Sequence, residues 1–195
     1  MITVSTLESP ARSYHHGDLR SALVAAGLKA LETSDVADLS LRQIARDVGV
    51  SATAVYRHFP DKQALLDALA EEGIAQLGAA QQAAALAAGA DASAFAATGR
   101  AYVRFALAHP ALFRMTFSRC AVGESIFGET LSARLLQEQA SKNAGGDPQA
   151  TRRLMVQAWS VVHGLAMLML DGQLPVEDAL IDQVIDPGTL FPNRP

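Results

Sequence analysis

Apolar residues recur at three- and four-residue spacing along nearly the whole chain, and no stretch sustains the alternation of β-branched and polar residues that a half-buried strand requires. The pattern predicts an all-α protein. Leu19, Leu23, Ala26 and Ala30, with Val24, Gly27 and Leu31 alongside, mark a first amphipathic helix over residues 17–32. Ser40-Leu41-Arg42-Gln43 has the form of a capping box, in which the serine hydroxyl and the glutamine amide each accept an orphan backbone N–H, so a second helix is expected to start there. Its apolar face is Leu41, Ile44, Ala45 and Val48, and Gly49 ends it. Ser51 can cap a third helix over 52–58, with Val55 and Phe59 inward and Thr53, Tyr56 and Arg57 outward. Two short helices thereby meet at the turn Gly49-Val50-Ser51.

Asp61 caps a fourth helix whose apolar rows are Leu65, Leu66, Leu69, Ile74 and Leu77. The Ala-rich stretch 79–101 favours helix, and its interruption by Gly89 and Asp91 predicts a loop over 89–93. The next helix carries Phe95, Tyr102, Val103, Phe105, Ala106 and Leu107. It breaks at His109-Pro110, because proline disfavours helical geometry in the residue before it and suits the first turn of the helix that follows, 111–118. After a loop around Gly123, residues 126–144 read as helix, stopped by Gly145-Gly146, and Asp147-Pro148 opens a long helix to Leu170. On that helix Trp159, Val162, His163, Ala166, Met167 and Leu170 share one face, while Val161, Leu165, Leu168 and Met169 cover the rest. A helix apolar all round is covered on two sides, and in a chain this small the simplest second cover is another copy of itself. A last short helix is expected over 175–184. The two helices would pair with their copies as a four-helix bundle, with Val161, Leu165, Leu168, Met169 and Leu180 as interface candidates.

A length of 195 residues with 50% hydrophobic and 18% charged residues excludes a disordered chain. One cysteine, Cys120, rules out an internal disulfide framework and a Cys-rich zinc finger, and suits a reducing cytoplasm. Residues 1–13 lack an apolar stretch of signal-peptide length and read as a disordered arm, and the Pro-rich tail 187–195 reads likewise. The most apolar run, 161–170, is half of the roughly 20 residues a membrane span needs, so no membrane partner is expected. There is no HExxH, no GxSxG and no phosphate-binding glycine loop, and the five histidines are scattered, so neither an enzyme nor a metal or cofactor is expected.

The formal charge of −4 argues against indiscriminate polyanion binding, yet it is unevenly placed. Residues 1–62 hold seven Lys+Arg and seven Asp+Glu, while residues 63–195 hold nine and thirteen. Within 40–62, Arg42, Arg46, Arg57 and Lys62 face only Asp47 and Asp61. A helix-turn-helix reads DNA by projecting its second helix into a major groove about 12 Å wide while the first crosses the backbone. Helix spacing alone fits an ordinary packed pair equally well. The outward cations, Tyr56 and His58 favour DNA, as does Lys62 in a first helical turn, where a cation opposes the helix dipole unless a phosphate sits there.

These residues resemble the TetR family of transcriptional regulators. The resemblance is carried by Tyr14-His15-His16-Gly17-Asp18-Leu19-Arg20, Leu39-Ser40-Leu41-Arg42-Gln43-Ile44-Ala45, Val48-Gly49-Val50-Ser51 and Val55-Tyr56-Arg57-His58-Phe59-Pro60-Asp61-Lys62, within about residues 14–77. Downstream, Ala101-Tyr102-Val103-Arg104-Phe105, His109-Pro110-Ala111-Leu112-Phe113, and Trp159 with His163-Gly164 and Asp171-Gly172 look like one C-terminal domain class of that family. The resemblance implies a three-helix DNA-binding domain over 14–62 and a helical effector-binding and dimerisation domain over 63–186. It further implies a homodimer on a palindromic double-stranded operator, released by a small apolar or amphipathic molecule. Carried over by position, Arg42, Ala52, Thr53 and Tyr56 match residues that approach bases, and Ser40, Ser51, Arg57, His58 and Lys62 match residues that hold phosphates. Ala52 and Ala54 depart from a polar recognition helix, which shifts specificity toward thymine methyl contacts, Arg42 and DNA shape. Candidate cavity residues are Tyr102, Phe105, Phe113, Met115, Phe117, Trp159, His163 and Met167, a mostly apolar set with polar tips that plain core packing would also produce. Repression is the family's commoner mode; a ligand-responsive activator and a ligand-binding adaptor with weak DNA binding stay open.

Overall fold

The computed structural model describes residues 16–89, 92–119 and 127–186, and every regular element among them is helical. In chain order these are α1 (His16–Leu31), a 3-10 turn (Val36–Asp38), α2 (Leu41–Val48), α3 (Ala52–His58), α4 (Lys62–Ala88), α5 (Ala92–Ala108), α6 (Pro110–Arg119), α7 (Leu131–Asn143), α8 (Pro148–Leu170) and α9 (Asp178–Val184). The expected disordered arm and tail, Cys120 and the loop around Gly123 lie outside the described residues.

Leu23 of α1, Ile44 of α2, Val55 and Phe59 around α3, and Leu65 and Leu69 of α4 are at most 2% exposed and form the core of the N-terminal head. Each such side chain stabilises the fold by about 1.5–3 kcal/mol on burial. The 27 residues of α4, about 40 Å at 1.5 Å per residue, run on from this head into the second half. One apolar cluster therefore extends unbroken from Leu23 to Ile185. Two glycines on α4 and α1 let neighbours come close. A Cβ at Gly27 would lie 3.0 Å from Leu69 Cδ2, and one at Gly73 would lie 2.5 Å from Thr116 Oγ1 and 3.1 Å from Leu112 Cδ1, so α6 rests almost on the α4 backbone.

Several expected boundaries follow from caps that are present. Asp61 Oδ1 accepts from Ala64 N–H at 2.8 Å and Asp147 Oδ1 from Ala150 N–H at 2.6 Å, and α5 gives way to α6 at His109-Pro110. Three features differ. The capping box at Ser40 does not form: the serine makes no side-chain cap, and Gln43 instead donates to Asp47 Oδ1 at 2.7 Å and accepts from Arg46. The helix expected over 126–144 begins at a residue outside the described ones; residues 128–130 are not helical, and α7 starts at Leu131, where Thr130 Oγ1 accepts from Ala133 N–H at 3.1 Å and sets the N-terminus. The last helix starts at Asp178 rather than at residue 175. Its first turn is anchored by Ile181, 1% exposed, whereas Val176 is 64% exposed and has no core to hold it in a helix.

By length and composition α8 is apolar enough to cross a membrane; the run 161–170 considered above is only its second half. Here it packs against α5 and α7 and buries Met155, Ala158, Val162, Leu165, Ala166 and Met169, as the central helix of a bundle does. Leu165 and Met169, expected at a dimer surface, thus point into the chain's own core. Successive residues around a helix are 100° apart, so the same inward stripe that takes Val162 and Ala166 takes these two. The outer face includes Val156, Ser160, Val161, Gly164 and Leu168, with no described residue within 4 Å of where a Cβ at Gly164 would stand. Helix α9 is held on α5 by Arg104 to Asp178 (2.9 Å) and Asp182 (3.5 Å), by Arg100 to Asp182 (3.5 Å), and by Arg100 Nη1 donating to the Ile185 carbonyl (3.1 Å). Exposed ion pairs contribute about 0–1 kcal/mol. Ile181 and Ile185, both buried, carry the docking and the ion pairs set its register.

Candidate nucleic-acid interface and internal cavity

The turn between α2 and α3 is built by three backbone requirements. Gly49 adopts φ 78°, ψ 31°, a left-handed conformation that costs residues with a Cβ about 1–2 kcal/mol, and Val50 N–H returns to the Ala45 carbonyl at 2.9 Å. Ser51 Oγ then accepts from Ala54 N–H at 3.2 Å and starts α3. With Val55 and Phe59 buried on one side, α3 is left with Thr53, Tyr56 and Arg57 exposed, and Ala52, Ala54 and His58 half-buried. Arg42 stands exposed at the start of α2, and Ser40, also exposed, makes no side-chain capping bond. Among the described residues no carboxylate pairs with Arg42, Arg57 or Lys62. Lys62 Nζ donates to the Ala37 carbonyl at 2.7 Å, which ties the start of α4 to the 3-10 turn. Arg20 of α1 lies over the Phe59 ring, 5.4 Å from its centroid, a cation that the sequence reading did not include.

Some distance along the chain, α4 to α8 and Ile185 line a partly open cavity of about 40 Å³, room for roughly three water molecules. Its wall includes Gln81, Phe95, Thr98, Gly99, Tyr102, Phe117, Ser132, Leu136, Trp159 and Val162. Tyr102 Oη is 2.8 Å from His163 Nδ1 and accepts from Trp159 Nε1 at 3.3 Å. The His163 ring is itself stacked among Trp159, Phe117 and Phe113, with centroids 4.9, 5.1 and 5.6 Å away. Burial holds its pKa below the ordinary histidine value. With its proton on Nε2, a neutral imidazole would accept a hydrogen bond at Nδ1 from the Tyr102 hydroxyl.

Residues 23–69 match the family described as bacterial regulatory proteins, tetR family, and residues 95–187 match the tetracyclin repressor-like C-terminal domain. The chain belongs to the TetR family. Residues 23–69, which hold α2, α3 and most of α1, are thereby the part of the chain that matches this family of regulatory proteins. The tetracycline repressor protein class C of Escherichia coli is 42% identical over 52 residues, 27% of this chain and 24% of that repressor, so the chain spans about a quarter of the length of the curated relative it matches. A solved protein of unknown function from Rhodococcus sp. RHA1 is 38% identical, with 90% of this chain and 93% of that one covered at a TM-score of 0.72. A TetR variant from Acinetobacter baumannii AYE, solved in complex with minocycline, shares the fold at 20% identity and a TM-score of 0.59, with 85% and 93% covered.

In this TetR-family chain the nine positions carried over for DNA contact fall on α2, α3, their caps and the start of α4. Of the eight expected cavity residues, Tyr102, Phe117 and Trp159 line the space. His163 stands behind Tyr102 as its hydrogen-bond partner. Phe113 and Met115 are 0% and 4% exposed and are core: they follow the inward side of α6, which is packed on α4 with no gap. Phe105 borders a shallow outer groove with Ala80, Ala84 and Arg104, and Met167 is packed against the core. Three polar wall residues, Gln81, Thr98 and Ser132, escaped the sequence reading. Gln81 at least had a signal, since it continues the four-residue row Leu69, Gly73, Leu77 into the interior and is 8% exposed.

Proposed function

We propose that this TetR-family regulator is a repressor that binds a palindromic operator as a homodimer and is released by a small apolar or amphipathic molecule in the internal cavity. The observation that carries the reading is the α2–α3 unit: a rigidly capped turn that presents Arg42, Thr53, Tyr56 and Arg57 outward while Val55 and Phe59 anchor it. In the proposed complex Arg42, Ala52, Thr53 and Tyr56 meet bases, and Ser40, Ser51, Arg57, His58 and Lys62 meet phosphates. Arg20, beside Phe59, is positioned to add a further phosphate contact.

The dimer would form through the outer face of α8, Val156, Ser160, Val161, Gly164 and Leu168, together with Leu180 on α9. The open Gly164 supports this, because a glycine in mid-helix costs about 1 kcal/mol relative to alanine and none of the described residues uses the space it leaves. Release would run through α6. Phe117 borders the cavity, and the neighbouring Thr116 and Leu112 touch α4 at Gly73, so a ligand that widens the cavity pushes a helix already in contact with the one that carries the DNA-binding head. A ligand shifts the equilibrium only by the difference in its affinity for the two arrangements. Selection of binding sites from a random DNA pool, followed by titration of the selected duplex with candidate ligands, tests the proposal. A selected pool without a palindromic consensus would refute the dimeric operator reading.

A further inference from the structure

The cavity carries a recognition chemistry of its own. We infer that it takes a neutral, single-ring molecule with one hydrogen-bond acceptor, such as a ketone, ester or amide carbonyl, held by the Gln81 amide. This rests on the cavity being the effector site.

The described residues of the wall bear no charge, so an ionised ligand would leave water without a partner charge. Arg100, next in sequence to the wall residue Gly99, pairs with Asp182 and donates to the Ile185 carbonyl. Gln81 is 8% exposed, and its orientation is settled by its neighbours. The Thr98 carbonyl can only accept, so Nε2 faces it, at 3.3 Å, while Oε1 accepts from Ser132 Oγ at 2.6 Å. The Thr98 hydroxyl donates to the Phe95 carbonyl at 2.7 Å. Both hydroxyl protons are thus spent on the protein. The amide nitrogen has two hydrogens, and the second meets no acceptor among the described residues. A ligand carbonyl in the cavity would accept this hydrogen, an interaction closed to a ligand of the same shape that lacks an acceptor. The rest of the described wall is apolar, part aliphatic (Leu136, Val162, Ile185) and part aromatic, with the Phe117 and Trp159 rings tilted at 45° and their centroids 6.4 Å apart, and such a lining suits a small ring. At about 40 Å³ the space must widen even for one ring, which disfavours fused polycycles.

The test is calorimetric titration of the full chain with four one-ring probes of similar size: acetophenone, ethylbenzene, benzoate and benzylammonium. Trp159 is the one tryptophan of the chain and borders the cavity, so its emission reports occupancy independently. Acetophenone is expected to bind at least tenfold tighter than ethylbenzene, and both ions at least tenfold weaker than ethylbenzene. In Gln81→Leu acetophenone should fall to the affinity of ethylbenzene, with ethylbenzene itself changed less than threefold. Ions that bind as well as acetophenone, no acetophenone binding at millimolar concentration, or a preference that survives in Gln81→Leu would each overturn the inference. The wild-type ranking decides the matter even if the variant does not fold. Operator binding measured in parallel separates the two readings: selective acetophenone binding with unchanged DNA affinity supports the ligand class and refutes the effector role.

Discussion

Lys62→Ala separates the contact that one ammonium group makes within the chain from the phosphate role proposed for it. One of its three donors holds the Ala37 carbonyl at 2.7 Å, and the proposed role for the others is an operator phosphate. A hydrogen bond from a charged donor contributes about 1.5–3 kcal/mol at most and about 1 kcal/mol when partly solvated. Loss of about 1–2 kcal/mol lowers the melting temperature of a chain of this size by roughly 2–8 °C. The phosphate role adds an effect on DNA that strut removal cannot mimic. Each neutralised phosphate contributes about 0.9 to the slope of log affinity against log salt, so a dimer with two such lysines should lose about 1.8 from that slope. Between 50 and 200 mM salt the wild type should therefore lose about 12-fold more affinity than the variant. Fluorescence anisotropy on the selected operator duplex across that range, at a temperature where both proteins are folded, reads the slope directly, with Lys62→Arg as a charge-preserving control. A lowered melting temperature with an unchanged slope would refute the phosphate role and leave Lys62 a strut between α4 and the 3-10 turn.

Arg42→Ala should cost about 1–3 kcal/mol at one base pair per half-site and relax specificity there; an identical selected consensus would count against direct readout. Thr116→Val should raise stability by about 1 kcal/mol, since Thr116 Oγ1 is buried with no hydrogen-bond partner among the described residues and a methyl group fits the same space; a lower denaturation midpoint would contradict this. Leu168→Glu places a charge on the outer face of α8, where Leu168 is 41% exposed, and should give a folded monomer by sedimentation with unchanged helical circular dichroism; a persistent dimer at micromolar concentration would exclude this face. Because burial lowers the His163 pKa below 6.5, the unfolded chain takes up that proton first as pH falls. The contribution is present above about pH 6.5 and lost below it, so His163→Gln should flatten the decline in stability between pH 7 and 5. An unaltered profile would mean that another group controls it.

The helices α1 to α4 could be read from the chain because their signals are local. Asp61 and Ser51 cap through atoms three residues away, and Gly49 supplies a backbone conformation that depends on no distant neighbour. The capping box at Ser40 was equally local and failed, because Arg46 and Asp47, one turn further on, compete for the same glutamine. The start of α7 was missed for a related reason: an apolar row continues back past Thr130, and only the formed cap marks where the helix begins.

What the sequence determined by itself was the all-helical class, the helix-turn-helix with its outward cations, and the family, all of which rest on periodicities and offsets within about twenty residues. Tertiary structure decided which face of each apolar helix is inside. Leu165 and Leu168 are equally hydrophobic, yet one is buried against the chain's own core and the other is 41% exposed, because the placement of α5 and α7 around α8 selects the inner stripe. It also decided the cavity. Gln81, Thr98 and Ser132 are separated by 17 and 51 residues from one another across their hydrogen bonds, and nothing local in the chain announces that three helices will bring them to one wall. Burial and polar pairing across helices are properties of the packed molecule, since each depends on what several distant segments leave unoccupied between them.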